Sequence, residues 1–356
     1  MKQFKQNYLI GLLLTASILG ACKKNDAVVI EPETPKAERR GIYVLNEGLM
    51  NSNNSTLTYY NYDNQALVAD QFSTVNGRGL GDTGTDIKLY GSKMYIVVNL
   101  SSTLEIINPK TGLSIKKIDL KDGTTGRQPR YIIFNKNKAY ISSYDGTIAV
   151  LDTASLAIEK YIKVGRTPEQ MAIANGKLYV ANSGGLDFPN YDNTVSVVDL
   201  VTMTEIKKIT VVENPRAVVA DQYGDVYVLS TGNYDNIESS LATIDSKTDL
   251  VKTKVDFSVG SMVVNGDYMY ITASDSKIKV FNMKSEKVEK ENFISDGTKF
   301  NYIYGVAVDE LTGEVFVADA KNFITTGEVF CFDKDGNKKY SIKTGLLPNN
   351  IVFVNK

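Results

Sequence analysis

The stretch that decides the fold begins at Pro168, which leads a turn into MAIA (171–174). KLYVAN (177–182) follows, then a loop, TVSVVDL (194–200), a short polar turn and EIKKITV (205–211). Each run is short, rich in β-branched and aromatic side chains, and bounded by Gly, Asn, Asp or Pro. This is the chemistry of β-strands, whose pleated, half-buried surface suits such side chains. Four runs in succession make a four-stranded unit.

The unit recurs. Its second strand carries an aromatic residue at Tyr43, Tyr95, Tyr140, Tyr179, Tyr227, Tyr270 and Phe316, at intervals of 52, 45, 39, 48, 43 and 46 residues. A third strand follows each time: TLTYY (56–60), TLEII (103–107), TIAVL (147–151), TVSVV (194–198), SLATI (240–244), KIKVF (277–281) and EVFCF (328–332). The period is that of a propeller blade, and seven copies predict an all-β, seven-bladed β-propeller. The repeats open on a second strand (Ile42 to Leu45) and finish on a lone first strand (Ile351 to Val354). Pairing the two completes the first blade, closes the ring and removes two exposed edges. A β-sandwich would leave the regular period unexplained.

Composition narrows the function. The 356 residues carry a net charge of −1, which marks no nucleic-acid binder. There is no histidine. Its absence removes the commonest general base, the His-activated nucleophiles and the usual zinc and copper ligand. With no Trp, 21 Tyr and 13 Phe supply the aromatic contacts, a balance suited to recognition rather than catalysis.

At the N-terminus, Lys2 and Lys5 precede an apolar run from Tyr8 to Leu19, then Leu19-Gly20-Ala21-Cys22. A basic start, a short apolar segment and small residues at a cleavage site predict a signal peptide over residues 1–21. The last four residues resemble a bacterial lipobox, which implies a lipid on Cys22. Residues 22–40, polar and containing Glu31-Pro32-Glu33-Thr34-Pro35, read as a tether, and residues 41–356 as the propeller. Cys331, between Phe330 and Phe332, reads as a small buried hydrophobe with no disulfide partner.

Propeller strands fill the core, so ligands fall to the connections. The turns between third and fourth strands are short (Asn108 to Gly112, Asp152 to Ser155, Asp333 to Gly336). The opposite face has the long loops: Asn46 to Ser55, Thr74 to Asp86, Asn182 to Asn193, Ser230 to Ser239, Ile294 to Tyr304 and Asp319 to Gly327. After the tether the chain has five arginines, Arg78, Arg127, Arg130, Arg166 and Arg216, all in blade-to-blade connections assigned to that long-loop face. Arg offers a planar fork of donors to amide, carboxylate or phosphate oxygens. The competing role is inter-blade ion pairing with Asp82, Asp86 or Glu169. The same face carries Phe188, Tyr191, Tyr234, Tyr302, Tyr304 and Phe323, with Asn46, Asn182, Asn190, Asn233, Asn349 and Asn350. The expected ligand-contacting set is completed by Glu47, Tyr144 and Glu169. Aromatics with amides and Arg suit a large, flat, amide-bearing or sugar-like ligand.

Some propellers hydrolyse lactones or phosphates with Ca²⁺ held by carboxylates at the channel mouth. Aligning the blades here puts Thr85, Arg130, Glu169, Arg216, Gly260, Tyr304 and Asn349 at equivalent positions. One is acidic and two are cationic, a poor Ca²⁺ set, although Asp86, Asp187 and Asp192 lie nearby in sequence. The reading is a non-enzyme with no catalytic residue, no metal and no cofactor.

The YVAN second strand and VVDL third strand resemble YncE-type propellers. More narrowly, LNEG (45–48), NSTLTYYNY (54–62), NGRGLGD (76–82) and GEVFVADA (313–320) resemble Bacteroidetes lipoprotein propellers. The best-understood of these are BtuG-type surface proteins, which capture cobalamin and pass it to a TonB-dependent outer-membrane transporter. The resemblance covers the chain from the lipobox onward. It implies a lipid-anchored outer-membrane protein, monomeric apart from the transporter and facing the cell exterior, that binds cobalamin or a related corrinoid and hands it to such a transporter. A glycan or protein-binding propeller, or a Ca²⁺-dependent hydrolase, are the alternatives.

Overall fold

The computed structural model describes residues 38–257, 260–273 and 275–356. The expected signal peptide, the lipidation site at Cys22 and most of the tether lie outside the described residues. Seven four-stranded antiparallel sheets follow one another along the chain. Blade 1 contains Pro348–Asn355, Arg39–Asn46, Thr56–Asn61 and Leu67–Val68. Blades 2 to 7 each take four consecutive strands, with first strands Gly84–Tyr90, Pro129–Asn135, Pro168–Ala174, Pro215–Ala220, Met262–Asn265 and Ile303–Val308. First strands touch first strands all the way around, blade 7 reaching Pro348–Asn355 of blade 1 and blade 1 reaching blade 2. The first strands therefore line the axis.

Closure takes the predicted form. Pro348–Asn355 pairs antiparallel with Arg39–Asn46, with Val352 opposite Tyr43 and Ile351 opposite Val44. Arg39 reinforces the seam from blade 1 to blade 7, where its guanidinium donates Nε–H to Asp309 at 3.0 Å and a second N–H at 2.6 Å. Asp309 is fully buried.

The recurring aromatic has a packing reason. Among the described residues, the buried apolar side chains fall into seven clusters, each shared by two neighbouring blades. The second-strand aromatics bridge those interfaces. Tyr95 packs on Phe134 of blade 3, Tyr227 on Phe281 of blade 6, and Phe316 on Phe353 of blade 1. Cys331 is fully buried between blades 7 and 1, and burial pushes its thiol up to about 12.

Blade 1 departs from the repeat. Its fourth strand is only Leu67–Val68, after which the chain turns into a short helix, Gln71–Asn76. Asp70 caps it by accepting from Ser73 N–H, and Gly77 ends it in the left-handed region at φ 65°. The expected Thr74-to-Asp86 loop is thus not one loop. Thr74 to Asn76 are helical, and Gly84 to Asp86 open the first strand of blade 2. No described helix is long and apolar enough to cross a membrane.

Candidate ligand-binding face

The upper face carries the second-to-third strand loops and the blade-to-blade connections. At its centre one local device repeats. Thr83, Gln128, Thr167, Asn214 and Leu347 all have positive φ, between 48° and 65°. Each precedes a Gly or Pro that opens a first strand. The carbonyl of each accepts an N–H from the end of its blade's second strand: Asn99, Tyr144, Ser183, Thr231 and Glu47 respectively, at 2.7 to 3.2 Å. A register shift follows at once, at Gly84/Asp86, Pro129/Ile132, Pro168/Met171 and Pro215/Ala217. Such bulges turn a side chain out of the ladder. Here they present Thr85, Arg130, Glu169 and Arg216 at the mouth of the axis, and a shift at Ile303/Gly305 does the same for Tyr304. Gly305 is required beside it, because a Cβ there would lie 1.9 Å from the Asn349 carbonyl oxygen.

These side chains converge across blades. Glu169, only 1% exposed, accepts Nε–H of Arg130 at 3.0 Å, an N–H of Arg216 at 3.3 Å and the Tyr144 hydroxyl at 3.2 Å. The Arg130 guanidinium lies 4.9 Å from the Tyr144 ring centre and 5.5 Å from that of Tyr131. Tyr304 donates its hydroxyl to Glu47 at 2.6 Å. Burial raises the Glu47 carboxyl above its ordinary value, against the lowering effects of Tyr304, Arg130 and Asn349.

A pH effect follows. The folded state holds the Glu47 proton more tightly than the unfolded chain does. The stability this group contributes is full below the unfolded carboxyl value and is lost as pH rises through the folded value. Glu47→Gln should therefore gain stability relative to wild type between pH 4 and pH 7, measured by urea unfolding. A gap that narrows with pH would contradict the assignment.

The remaining arginines sit elsewhere. Arg78 lies not at the mouth but at the outer edge between blades 1 and 2. It donates to buried Glu105 at 2.9 Å and lies 4.8 Å from the Phe72 ring centre. Its partner is neither Asp82 nor Asp86. Asp82 accepts the Asn51 and Asn53 N–H groups, and Asp86 accepts those of Ile87 and Ile132. Arg127 is likewise an outer bolt, paired with Asp145 and Asp122 over the Tyr161 ring. Arg166 organises the loop above it, donating to Asp187 at 2.7 Å, to Asp192 at 2.5 Å and to the Asn190 carbonyl at 3.0 Å.

Several of the amides hold the framework. Asn46 and Asn182 are fully buried, donating to Thr56 and Thr58 and to Thr194 and Ser196. Asn349 and Asn350 donate to the Gly84 and Thr85 carbonyls, stitching blade 1 to blade 2. Asn233 accepts three successive N–H groups, from Asp235, Asn236 and Ile237. Gly260, aligned with the mouth residues, lies at the turn into blade 6, where a Cβ would meet the Thr272 hydroxyl at 2.1 Å.

The aromatics form two groups on opposite parts of the face. Phe188, Tyr191 and Tyr234 stand edge to face, with successive ring centres 6.0 Å apart. Tyr302, Tyr304 and Phe323 form the other, with Tyr302 and Phe323 4.6 Å apart. Phe188 is 72% exposed and Tyr234 65%. Tyr234 and Phe323 both sit in left-handed backbone, at φ 61° and 68°. Bulky residues seldom adopt that conformation, and strain of this kind concentrates at ligand clamps.

Sequence reading missed Tyr131, which flanks Arg130, and the left-handed collar. Thr, Gln, Asn and Leu share no chemistry that would announce positive φ. Among the described residues no three His, Cys, Asp or Glu lie close enough to share a metal ion.

Among solved structures, the fold is similar to a quinonprotein alcohol dehydrogenase-like protein from Bacteroides thetaiotaomicron VPI-5482. The TM-score is 0.67 at 18% identity, over 88% of this chain and 78% of that one. It is also similar to Kuenenia stuttgartiensis hydrazine synthase (TM-score 0.63, 15% identity, 77% and 95% covered) and to the computationally designed Ika8 protein (0.58, 14%, 88% and 90%). At these identities the likeness is one of fold. No curated protein matches the chain. A family profile described as a domain of unknown function, DUF5074, matches residues 40–353, and the chain belongs to that family.

Proposed function

We propose that this propeller is a binding protein that captures cobalamin or a related corrinoid on its upper face, without chemistry. It acts as a lipid-anchored outer-membrane protein that hands the ligand to a TonB-dependent transporter. The observation that carries the binding reading is the central cluster of Arg130, Arg216, Glu169 and Tyr144, with two aromatic groups on the same face, each with one member in left-handed backbone. A corrin is broad, edged with amides and linked to a phosphate. Guanidinium donors suit its amide and phosphate oxygens, and aromatic faces suit its ring. Because Arg130, Glu169 and Arg216 stand on first strands, little ordering of the central cluster accompanies binding. The narrower likeness to YncE-type and BtuG-type propellers supplies the choice of cargo, anchor and transporter.

Titration with cyanocobalamin tests this. Arg130→Ala and Tyr304→Ala should weaken binding at least tenfold, while Arg78→Ala and Arg127→Ala, at the outer edge, should leave it unchanged. With no histidine to replace an axial ligand, the bound corrinoid should keep its free spectrum. Absence of binding by wild type would refute the cargo. The exposure of Phe188 and Tyr234 favours a glycan as the second reading. That reading predicts binding lost with Tyr234→Ala but unaffected by Arg130→Ala.

A further inference from the structure

We infer that Arg216 and the Phe188–Tyr191–Tyr234 group form one subsite for an anionic group attached to a planar ring, the chemistry of a nucleotide. The inference rests on the upper face being the binding face and names what part of the ligand docks there.

Glu169 is a single carboxylate shared by two guanidiniums, and Glu47 faces Arg130 from the blade 1 side of the mouth. Arg130 is bound through its Nε and sandwiched against Tyr131 and Tyr144. Arg216 differs. It makes one N–H contact to Glu169, at 3.3 Å, and its side chain is 42% exposed. A guanidinium has five N–H donors in a planar fork. Glu169 takes one of them, and the remaining edge has no other acceptor among the described residues. That edge matches the oxygens of a phosphate or carboxylate.

The second observation is what stands beside it. The Thr231 and Gly232 N–H groups, which open the loop bearing Tyr234, donate to the Asn214 and Glu213 carbonyls just before Arg216 at 3.0 and 3.1 Å, and Asn214 N–H donates to the carbonyl of Asp192, next to Tyr191, at 2.7 Å. Tyr234 leads to Tyr191 and Phe188 in an edge-to-face row. Two devices hold this row in place. Asn233 gathers three backbone N–H groups to fix the turn bearing Tyr234, and Arg166 clasps the loop bearing Phe188 and Tyr191. An anion-binding fork next to a fixed, exposed aromatic row fits a ring carrying a neighbouring negative charge. Aromatic side chains of this kind hold bases by ring stacking in nucleic-acid binders. Such a group can come from a free nucleotide or from the nucleotide tail of a corrinoid.

Three probes distinguish the cases: cyanocobalamin, dicyanocobinamide (which lacks the phosphate, ribose and base) and AMP, each titrated into wild type, Arg216→Gln, Arg216→Lys and Tyr234→Ala. Cyanocobalamin should bind at least tenfold more tightly than dicyanocobinamide. Arg216→Gln should bring the ratio close to one by weakening cyanocobalamin alone, and Arg216→Lys should restore part of it. AMP should bind weakly to wild type and not to Arg216→Gln. Equal affinity for both corrinoids, untouched by Arg216→Gln, would overturn the inference and leave the corrinoid reading standing. AMP binding that depends on Arg216, with no corrinoid bound, would support the subsite and refute the corrinoid. No binding of any probe would refute both. Unchanged melting of Arg216→Gln separates these effects from misfolding.

Discussion

Deleting Pro348–Lys356 should leave no cooperatively folded propeller. The deleted strand is the innermost of blade 1 and pairs along Arg39–Asn46. Without it, Ile42, Tyr43 and Val44 at the seam lose their cover. The buried Ile351, Val352 and Val354 leave the clusters shared by blade 1 with blades 7 and 2. Burying one such side chain is worth about 1.5–3 kcal/mol, so three together rival the ~5–15 kcal/mol of a whole domain's stability. The deletion also leaves the edge of Arg39–Asn46 unpaired. Circular dichroism during heating should show a lost or broad, early transition, and a peptide of residues 348–356 should restore the sharp one. A truncated chain melting like wild type would contradict this account of closure.

Glu169→Ala should cost about 3–5 kcal/mol, the usual effect of removing one partner from a buried ion pair. Its carboxylate is almost wholly buried and bonds Arg130, Arg216 and Tyr144 together. Removing it leaves the Arg130 guanidinium beside Tyr131 and Tyr144 without its countercharge. The reverse change is asymmetric. Arg216→Gln removes a half-exposed partner, and exposed pairs contribute little, so its effect on denaturant midpoint should be small. Equal losses from the two substitutions would show that the cluster is not organised around Glu169.

The repeat was legible because its physics is local. An aromatic packed at each blade interface and an apolar third strand leave a mark every 39 to 52 residues, and pairing the orphan first and second strands follows from unpaired edges alone. The site was legible in part. Aligning the blades brought out Arg130, Glu169, Arg216 and Tyr304, because all follow the same turn into a first strand. It did not show that Arg78 pairs with Glu105, since nothing local shows that blade 1 gives up its fourth strand for a helix. Arg127 and Arg166 share the long-loop face with Arg130 and Arg216 by sequence, but acidic partners hold them. Side-chain partners such as Asp145 and Asp192 are set by inter-strand geometry, which sequence spacing does not specify. Asn46 and Asn182 looked like ligand groups because buried amides that hold strand ends together have the same composition as those that hold a ligand.

The most direct measurement is to mix the purified protein with cyanocobalamin, pass it over a desalting column and read the visible spectrum of the protein peak. The account predicts that the red chromophore elutes with the protein at about one per chain, its spectrum unshifted. A colourless protein peak would contradict it.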